Sequence, residues 1–259
     1  HLGRLPVNTI AELDAIIDKI IAYENQSAGQ AWQSNITFIA DNVPDPKDAG
    51  DFVAISEALI TDYISPQANY QAIRLFENDY GCESDKQCPV MRSAIADTIN
   101  ITGTLLVSYI GHGDVQRWSG ERIFRVADLP LLSNTGQYPL VLSMTCLDGS
   151  WYYPLSSHNP GLVEALLRQD NAGIIASFSP TGLGVATGHD ALQRGFFDTI
   201  FREQTNLLGQ AAANAKLELY ATGQNFDLLH TYLLFGDPAL GIKIEVTQEE
   251  SMFIPILVR

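Results

Sequence analysis

The sequence has few cysteines, few basic residues and no long apolar run. Of its 259 residues, three are cysteine, and 15 lysines and arginines stand against 30 aspartates and glutamates. No apolar run reaches the roughly 18 residues that a membrane-spanning helix needs, which excludes a span of that kind. The net charge of −15 argues against nucleic acid and anionic membranes as partners, because phosphate binding needs a basic surface.

Several motifs of other chemistries are also missing. The sequence contains no Gly-x-Ser-x-Gly elbow of a serine hydrolase and no Cys-x-x-Cys pair with the close spacing of zinc ligands. The chain begins at His1 with neither an initiator methionine nor a signal segment. We therefore expect a processed piece of a longer precursor, with any targeting segment upstream.

The cysteines allow two interpretations. Cys82 and Cys88 bracket a short polar stretch and either close a small disulfide loop or remain two free thiols. A disulfide would indicate an oxidising compartment. In that case Cys146 is left over as a candidate reactive thiol.

Strand and helix patterns alternate along the chain. Apolar runs predict strands at 36–40, 70–76, 104–110, 139–144, 173–177 and 240–244. Amphipathic patterns predict helices from Thr9 to about Asn25, from Asp51, and at 89–99, 161–169, 189–202 and 206–220. This alternation predicts an α/β fold, a mainly parallel β-sheet covered by helices on both faces.

Two of the predicted strands end at residues that carry chemistry. His112 stands between two glycines after one strand, and Cys146 follows another strand 34 residues later. Because parallel strands place their carboxyl ends at one edge of a sheet, a base and a soft nucleophile would meet there, as a cysteine hydrolase requires. The alternatives are a structural histidine, a buried cysteine that acts as a small hydrophobe, and a zinc site built with nearby acids.

Two aspartates are candidate partners of this pair. Asp41 follows the strand 36–40 and could fix the tautomer of the imidazole. Asp51 stands at a predicted helix start, where it either caps the helix or binds a cationic substrate side chain in a pocket. We further expect His112 to stabilise the Cys146 thiolate and lower the pKa of that thiol. His189, near another helix start, is interpreted as structural or solvated.

At these residues the sequence resembles the gingipain-type cysteine peptidases, which have a caspase-like fold. The matching stretches, which follow the family order up to about Ile244, include Phe38–Asp41, Asp51-Phe52, Tyr109–Gly113, Thr145-Cys146, Gly173–Ser177 and Phe235–Pro238. The resemblance implies that His112 is the general acid/base and Cys146 the nucleophile that forms a thioester acyl-enzyme. It also implies an oxyanion hole made by the backbone N–H groups of Gly113 and Cys146.

The resemblance extends to the substrate pocket. Asp41 matches the acid that orients the histidine, and Asp51 matches the acid at the bottom of the pocket in the arginine-cleaving members. Those members have an aromatic wall where this sequence has Leu183, so we expect a wider pocket here. The family does not require a cofactor for catalysis, and a structural calcium ion is compatible with it.

The resemblance also suggests a domain organisation. We expect residues 1–244 to form a caspase-like catalytic subdomain, with 1–35 leading in from a missing upstream half and 245–259 forming a C-terminal tail. The expected partners are a protein or peptide substrate and that N-terminal half, and the expected location is secreted or at a bacterial cell surface.

The sequence therefore predicts a cysteine endopeptidase, with arginine or lysine expected before the cut. One alternative is a non-hydrolytic relative that acts as a transpeptidase or as a surface or secretion component. Another is a metal-binding module, which would contain zinc after purification.

Overall fold

The computed structural model describes residues 1–42, 50–83, 86–152 and 160–245. The helices are α1 (Ile10–Glu24), α2 (Phe52–Leu59), α3 (Pro89–Asp97), α4 (Leu162–Arg168), α5 (Ala186–Phe197), α6 (Leu208–Ala221) and α7 (Asp227–Thr231). A π-helical turn continues α2, α3 and α5 at Ile60–Ile64, Thr98–Thr102 and Asp198–Arg202, respectively. The strands are β1 (Asn35–Ala40), β2 (Gln71–Phe76), β3 (Leu106–Ile110), β4 (Gly113–Asp114), β5 (Arg117–Trp118), β6 (Phe124–Arg125), β7 (Leu140–Met144), β8 (Ala176–Pro180) and β9 (Tyr232–Phe235).

The main sheet has six strands in the order β2-β1-β3-β7-β8-β9, and only the pairing of β8 with β9 is antiparallel. Strands β1, β3, β7 and β8 are buried at every residue. Burial on both sides requires helices on both faces, which is why these strands read as continuous apolar runs. The predicted α/β class with a mainly parallel sheet is confirmed.

Helix α1 presents apolar residues on two sides. Its predicted capping box forms, since Thr9 accepts a hydrogen bond from the backbone of Glu12 and the Glu12 side chain accepts from the backbone of Thr9. Ile16 and Ile20 are buried, whereas four other apolar residues are exposed: Ile10, Leu13, Ile17 and Ile21. The helix therefore packs with one stripe and leaves a second apolar stripe exposed in the described chain.

The last two strands differ from the prediction. The predicted strand 240–244 is wrong, because within it the structure has only an isolated bridge between Gly241 and Leu207. The final strand, β9, instead lies directly after α7 and before the turn at Gly236. Its four residues are too few for a sequence pattern to indicate a strand. The strand predicted at 173–177 begins at Ala176, which pairs with Leu140 of β7.

A disulfide bond joins Cys82 to Cys88, and Cys146 is the free cysteine. The predicted tail lies outside the described residues from 246 onward. Among the helices that the structure describes, none combines the length and the apolar character needed to cross a membrane.

Candidate active site

The candidate residues lie at one edge of the sheet because β3 and β7 are neighbouring parallel strands in register. Ile110 pairs with Met144 at the carboxyl ends of these strands. His112 and Cys146 each follow two residues later, so both leave the sheet at the same edge. His112 is exposed and Cys146 is half-buried, which leaves both open to a substrate.

The glycines on either side of His112 allow the chain to pass close to its neighbours. A Cβ atom on Gly111 would lie 2.3 Å from the Cβ of Asp41, and one on Gly113 would lie 2.4 Å from Oγ1 of Thr145. Such distances are far below van der Waals contact, so a larger residue at either position would push the strand ends apart. The Gly-His-Gly pattern is therefore explained by close packing at the ends of β1, β3 and β7.

The segment that carries His112 is held by its carbonyl group. The backbone N–H of Ser119 donates to the His112 carbonyl at 2.8 Å, and the hydroxyl of Tyr109 donates to the same oxygen. The imidazole meets the ring of Phe52 edge-on, with 5.6 Å between the ring centroids. These contacts fix the backbone of His112 and place one side of its ring against an apolar surface.

The thiol of Cys146 lies against the loop that follows β8. The backbone N–H of Gly184 donates to Sγ at 3.4 Å. Leu147, directly after the cysteine, has a φ of +64°, a left-handed conformation that is uncommon for leucine. The chain therefore turns sharply after Cys146 instead of continuing as a strand.

Burial raises the pKa of the Cys146 thiol, and the nearby Asp148 carboxylate raises it further against the opposing effect of the Gly184 N–H. The sequence predicts the opposite direction, a pKa lowered by the imidazole. The difference arises because the thiol is partly removed from water, which disfavours the charged thiolate.

Asp148 is a residue of this site that the sequence did not single out. It is fully buried, and its carboxylate accepts hydrogen bonds from Nε1 of Trp118 at 3.0 Å and from the Ser143 hydroxyl. Desolvation raises the pKa of Asp148 to about 7, against the effect of these donors. Its position two residues after Cys146 is the only signal in the sequence, because the contact with Trp118, 30 residues away, forms only in the folded chain.

Asp41 contacts the main chain of His112. Its Oδ2 accepts the backbone N–H of His112 at 2.8 Å, and its Oδ1 accepts the N–H of Asn42 at 2.8 Å. Burial raises the pKa of Asp41, whereas a side-chain hydrogen bond with Glu77 and the backbone N–H of His112 oppose the rise. Asp41 therefore positions the histidine through its backbone; contact with the imidazole itself stays a prediction.

Two glutamates extend this acidic region. Asp41, Glu77 and Glu121 are buried, and one carboxylate oxygen from each lies within 4.8 Å of the others. Glu77 follows β2, the strand beyond β1, and desolvation together with Asp41 raises the pKa of Glu77 to about 9. Within the described residues this all-oxygen group is the one with metal-ligand geometry. It includes neither His112 nor Cys146, unlike the zinc site considered from the sequence.

A cleft of about 450 Å³ lies between the starts of α2 and α5. Its lining includes Asp51 and Ala186. Asp51 is the N-cap of α2, and its Oδ1 accepts the N–H of Ala54 at 2.9 Å. Asp51 precedes Phe52, which contacts His112, and Ala186 is two residues from Gly184, which contacts Cys146, although neither His112 nor Cys146 lines the cleft.

Asp190 and Arg194 also line the cleft, and Leu183 precedes the loop residue Gly184. Both carboxylate oxygens of Asp190 accept from Nε of Arg194 at 3.1 Å, which neutralises that acid. Leu183 is 70% exposed beside Gly184 and is not part of the cleft lining. Of the two acids in the cleft lining, Asp51 is therefore the one that the described salt bridges leave for a substrate.

The model of Peptidase family C25 matches residues 1–243 of this sequence. The chain belongs to this family. Two similar curated C25 relatives are gingipain R2 and gingipain R1 of Porphyromonas gingivalis, each 24% identical over 98% of this chain. The chain spans 34% of the length of gingipain R2 and 25% of that of gingipain R1.

Solved structures support the same fold. The crystal structure of gingipain R, an Arg-specific cysteine proteinase, superposes with a TM-score of 0.78 at 20% identity and covers 93% of this chain and 55% of its own. The RgpB complex of pro- and mature domains also has a TM-score of 0.78, over 93% of this chain. The predicted gingipain-type family and the caspase-like fold are confirmed, and membership of Peptidase family C25 agrees with the prediction of a cysteine peptidase. The roles of the individual C25 site residues stay predictions.

Proposed function

We propose that this chain is the catalytic part of a cysteine endopeptidase in which His112 and Cys146 act as a dyad. The observation that carries the proposal is the register of β3 and β7, which brings both residues to one edge of the sheet. Neither side chain is sealed inside the protein. Family membership supports the reaction class.

The reaction begins at the thiol. Because burial raises the pKa of Cys146, little thiolate forms at neutral pH without a base. The imidazole of His112 takes the proton as sulfur attacks the scissile carbonyl, and then gives it to the leaving amine. Water hydrolyses the resulting thioester. This reaction sequence needs no cofactor.

The developing oxyanion is assigned to the backbone N–H groups of Gly113 and Cys146. A Cβ atom on Gly113 would lie 3.4 Å from the carbonyl oxygen of Cys146, so the two backbones are close neighbours. Loss of one donor from such a hole typically lowers the rate by roughly 10²–10³. Asp41 would act as a positioning residue, because the hydrogen bond it makes goes to the backbone of His112.

The cleft beside the dyad is assigned to the side chain before the cut. Of the two acids that line the cleft, Asp190 pairs with Arg194 and leaves Asp51 for the substrate. Such a cleft suits arginine or lysine, because an ionic pair there is charge-assisted. Leu183, which is exposed and does not line the cleft, would leave the pocket less enclosed than an aromatic residue would. The specificity rests on Asp51, whose second oxygen is left for the substrate when the first caps α2.

Replacing Asp51 with Asn tests this assignment with little change in shape. Asparagine is as good an N-cap as aspartate, so α2 should be preserved. We expect kcat/KM for arginyl and lysyl peptide amides to fall about tenfold or more, with little change for a leucyl peptide. The matched control is Asp18→Asn, an exposed aspartate on α1. Equal loss on all three substrates would contradict the pocket assignment.

The reaction class is tested separately with Cys146→Ala and His112→Ala, both of which should lose hydrolysis of every peptide. Products joined to an added amine would instead favour the transpeptidase.

We also propose that the chain works outside the cytosol and packs against a further segment of its precursor. The Cys82–Cys88 disulfide supports an oxidising compartment. The exposed apolar stripe of α1 is a surface that such a segment could cover. The gingipain R structure is longer than this chain, which covers 55% of it.

A further inference from the structure

Buried side chains connect the turn after Cys146 with the hairpin after His112. Asp148 and Trp118 are 0% and 2% exposed, respectively. Nε1 of Trp118 donates to Oδ2 of Asp148 at 3.0 Å. Asp148 stands just after the candidate nucleophile, and Trp118 stands in the hairpin that follows the candidate base. One hydrogen bond between side chains therefore joins the segments that carry the two members of the dyad.

Trp118 is attached to the segment of His112 at several points. Its backbone pairs with Gly113 in the ladder between β4 and β5. Its ring stacks on that of Tyr109, with 4.5 Å between the ring centroids, and the Tyr109 hydroxyl donates to the carbonyl of His112. The backbone N–H of the next residue, Ser119, donates to the same carbonyl at 2.8 Å. A displacement of the indole would therefore move the backbone of His112.

Asp148 is attached equally closely to the turn of Cys146. Its Oδ2 also accepts the hydroxyl of Ser143, which lies in β7 shortly before the cysteine, so the carboxylate holds the turn against its own strand. The backbone N–H of Gly149 donates to the carbonyl of Pro180 in β8 at 2.9 Å. Removal of the carboxylate would release the turn from β7 and from the indole together.

We propose that Asp148 is a positioning residue, which holds the Cys146 thiol at a fixed place relative to the His112 imidazole through the indole of Trp118. The proposal rests on the dyad proposed above. Burying a carboxylate without a cationic partner is costly, and within the described residues both side chains that donate to Asp148 are neutral. Hydrogen bonds to an ionised carboxylate are shorter and stronger than those to a neutral acceptor, which suits a link between two segments.

The test measures alkylation of the Cys146 thiol by iodoacetamide at neutral pH, which requires no peptide hydrolysis. Cys82 and Cys88 are joined in a disulfide, so the modification reports on Cys146. The rate is compared between the wild type and His112→Ala, and again between Asp148→Ala and the double variant. The ratio within each pair measures the effect of the imidazole on the thiol. The charge of Asp148 cancels in this ratio, because both members of a pair share it.

We expect the imidazole to accelerate alkylation about tenfold or more in the wild type and less than about twofold in the Asp148→Ala background. Trp118→Phe, which keeps an aromatic ring but lacks the donor, should lose the imidazole effect in the same way. Asp148→Asn should keep most of it, because the amide oxygen can still accept the indole N–H. The matched control is Trp32→Phe, since Trp32 is 5% exposed and its indole donates to Gln30 before β1. It should keep the wild-type ratio.

Peptide hydrolysis gives a second readout, measured well below the unfolding temperature. Asp148→Ala and Trp118→Phe should each lower kcat about tenfold to a hundredfold with little change in KM, because misplacing a reacting group slows the chemical step. The double variant should be no slower than the slower single variant, since both substitutions break one link. A residue that only stabilises the fold would lower the unfolding temperature and leave kcat of the folded protein near the wild-type value.

An unchanged imidazole effect or an unchanged kcat in Asp148→Ala and Trp118→Phe would overturn the proposal, even if the wild type hydrolyses peptides. A wild type that hydrolyses no peptide, but whose imidazole effect is lost in these variants, would contradict the proposed function and support the positioning role. If the imidazole has no effect on the wild-type thiol, both are wrong. If Asp148→Ala does not fold, Trp118→Phe and Asp148→Asn decide the result.

Discussion

At the scale of single residues, the sequence revealed the groups whose role depends on their position along the chain. The positions of His112 and Cys146 at one edge of the sheet could be predicted, because each residue follows the end of an apolar strand. Asp148 and Glu77 could not, since their importance depends on contacts with residues from other elements, such as Trp118 and Asp41. The environment of a carboxylate depends on which residues surround it in the folded structure, and a single sequence does not show those contacts.

His189 was interpreted as structural or solvated, and the structure buries it at 3% exposure against Tyr232. Burial lowers the pKa of His189 from 6.5 to about 3. Between these values the unfolded chain binds a proton that the folded chain does not. The free energy of unfolding therefore decreases as the pH falls from about 7 towards 3.

Through this residue we expect the wild type to lose about 2 kcal/mol between pH 7 and pH 5. His189→Gln should show a smaller loss over the same interval in urea unfolding. His230→Gln, which replaces an exposed histidine, should keep the wild-type slope. Identical slopes in all three proteins would show that His189 is already protonated, or reaches water, in the folded state.

At the scale of elements, the buried parallel strands were the most predictable part of the fold. Strands β1, β3 and β7 lie within one or two residues of their predicted bounds because burial on both faces requires a continuous apolar run. Strand β9 was missed because its antiparallel pairing with β8 is a tertiary contact between short segments. The division of α1 into a buried and an exposed apolar stripe likewise depends on its packing partners.

The meeting of β1 and β3 depends on Gly111. A methyl group there would approach Asp41 at 2.3 Å. We expect Gly111→Ala to destabilise the protein by about 1–3 kcal/mol and to reduce peptidase activity, because the clash moves the segment of His112. Chemical denaturation and kcat/KM measure the two effects.

Gly120→Ala is the control for this substitution. It lies in the loop between β5 and β6, and a Cβ atom there would meet no atom within 4 Å. It should leave stability and activity near wild type. If Gly111→Ala behaves in the same way, the glycine does not set the approach of these strands.

At the scale of the whole molecule, the chain is an acidic α/β unit that covers 55% of the gingipain R structure. Its net charge of −15 would favour encounter with basic substrates, in agreement with arginine or lysine before the cut. Both members of the proposed dyad, however, follow neighbouring strands of one sheet, so this chain supplies both of them.

The central claim is that Cys146 forms a thioester with the substrate and that His112 is needed for it. An aza-arginyl aryl ester tests this directly, because its acyl-enzyme hydrolyses slowly and can be trapped in acid for mass spectrometry. We predict one acyl group on the peptide that contains Cys146 in the wild type, and none in Cys146→Ala or in His112→Ala during the same interval. Peptide hydrolysis by a wild-type protein whose Cys146 stays unmodified by this reagent, or undiminished hydrolysis by Cys146→Ala, would contradict the account.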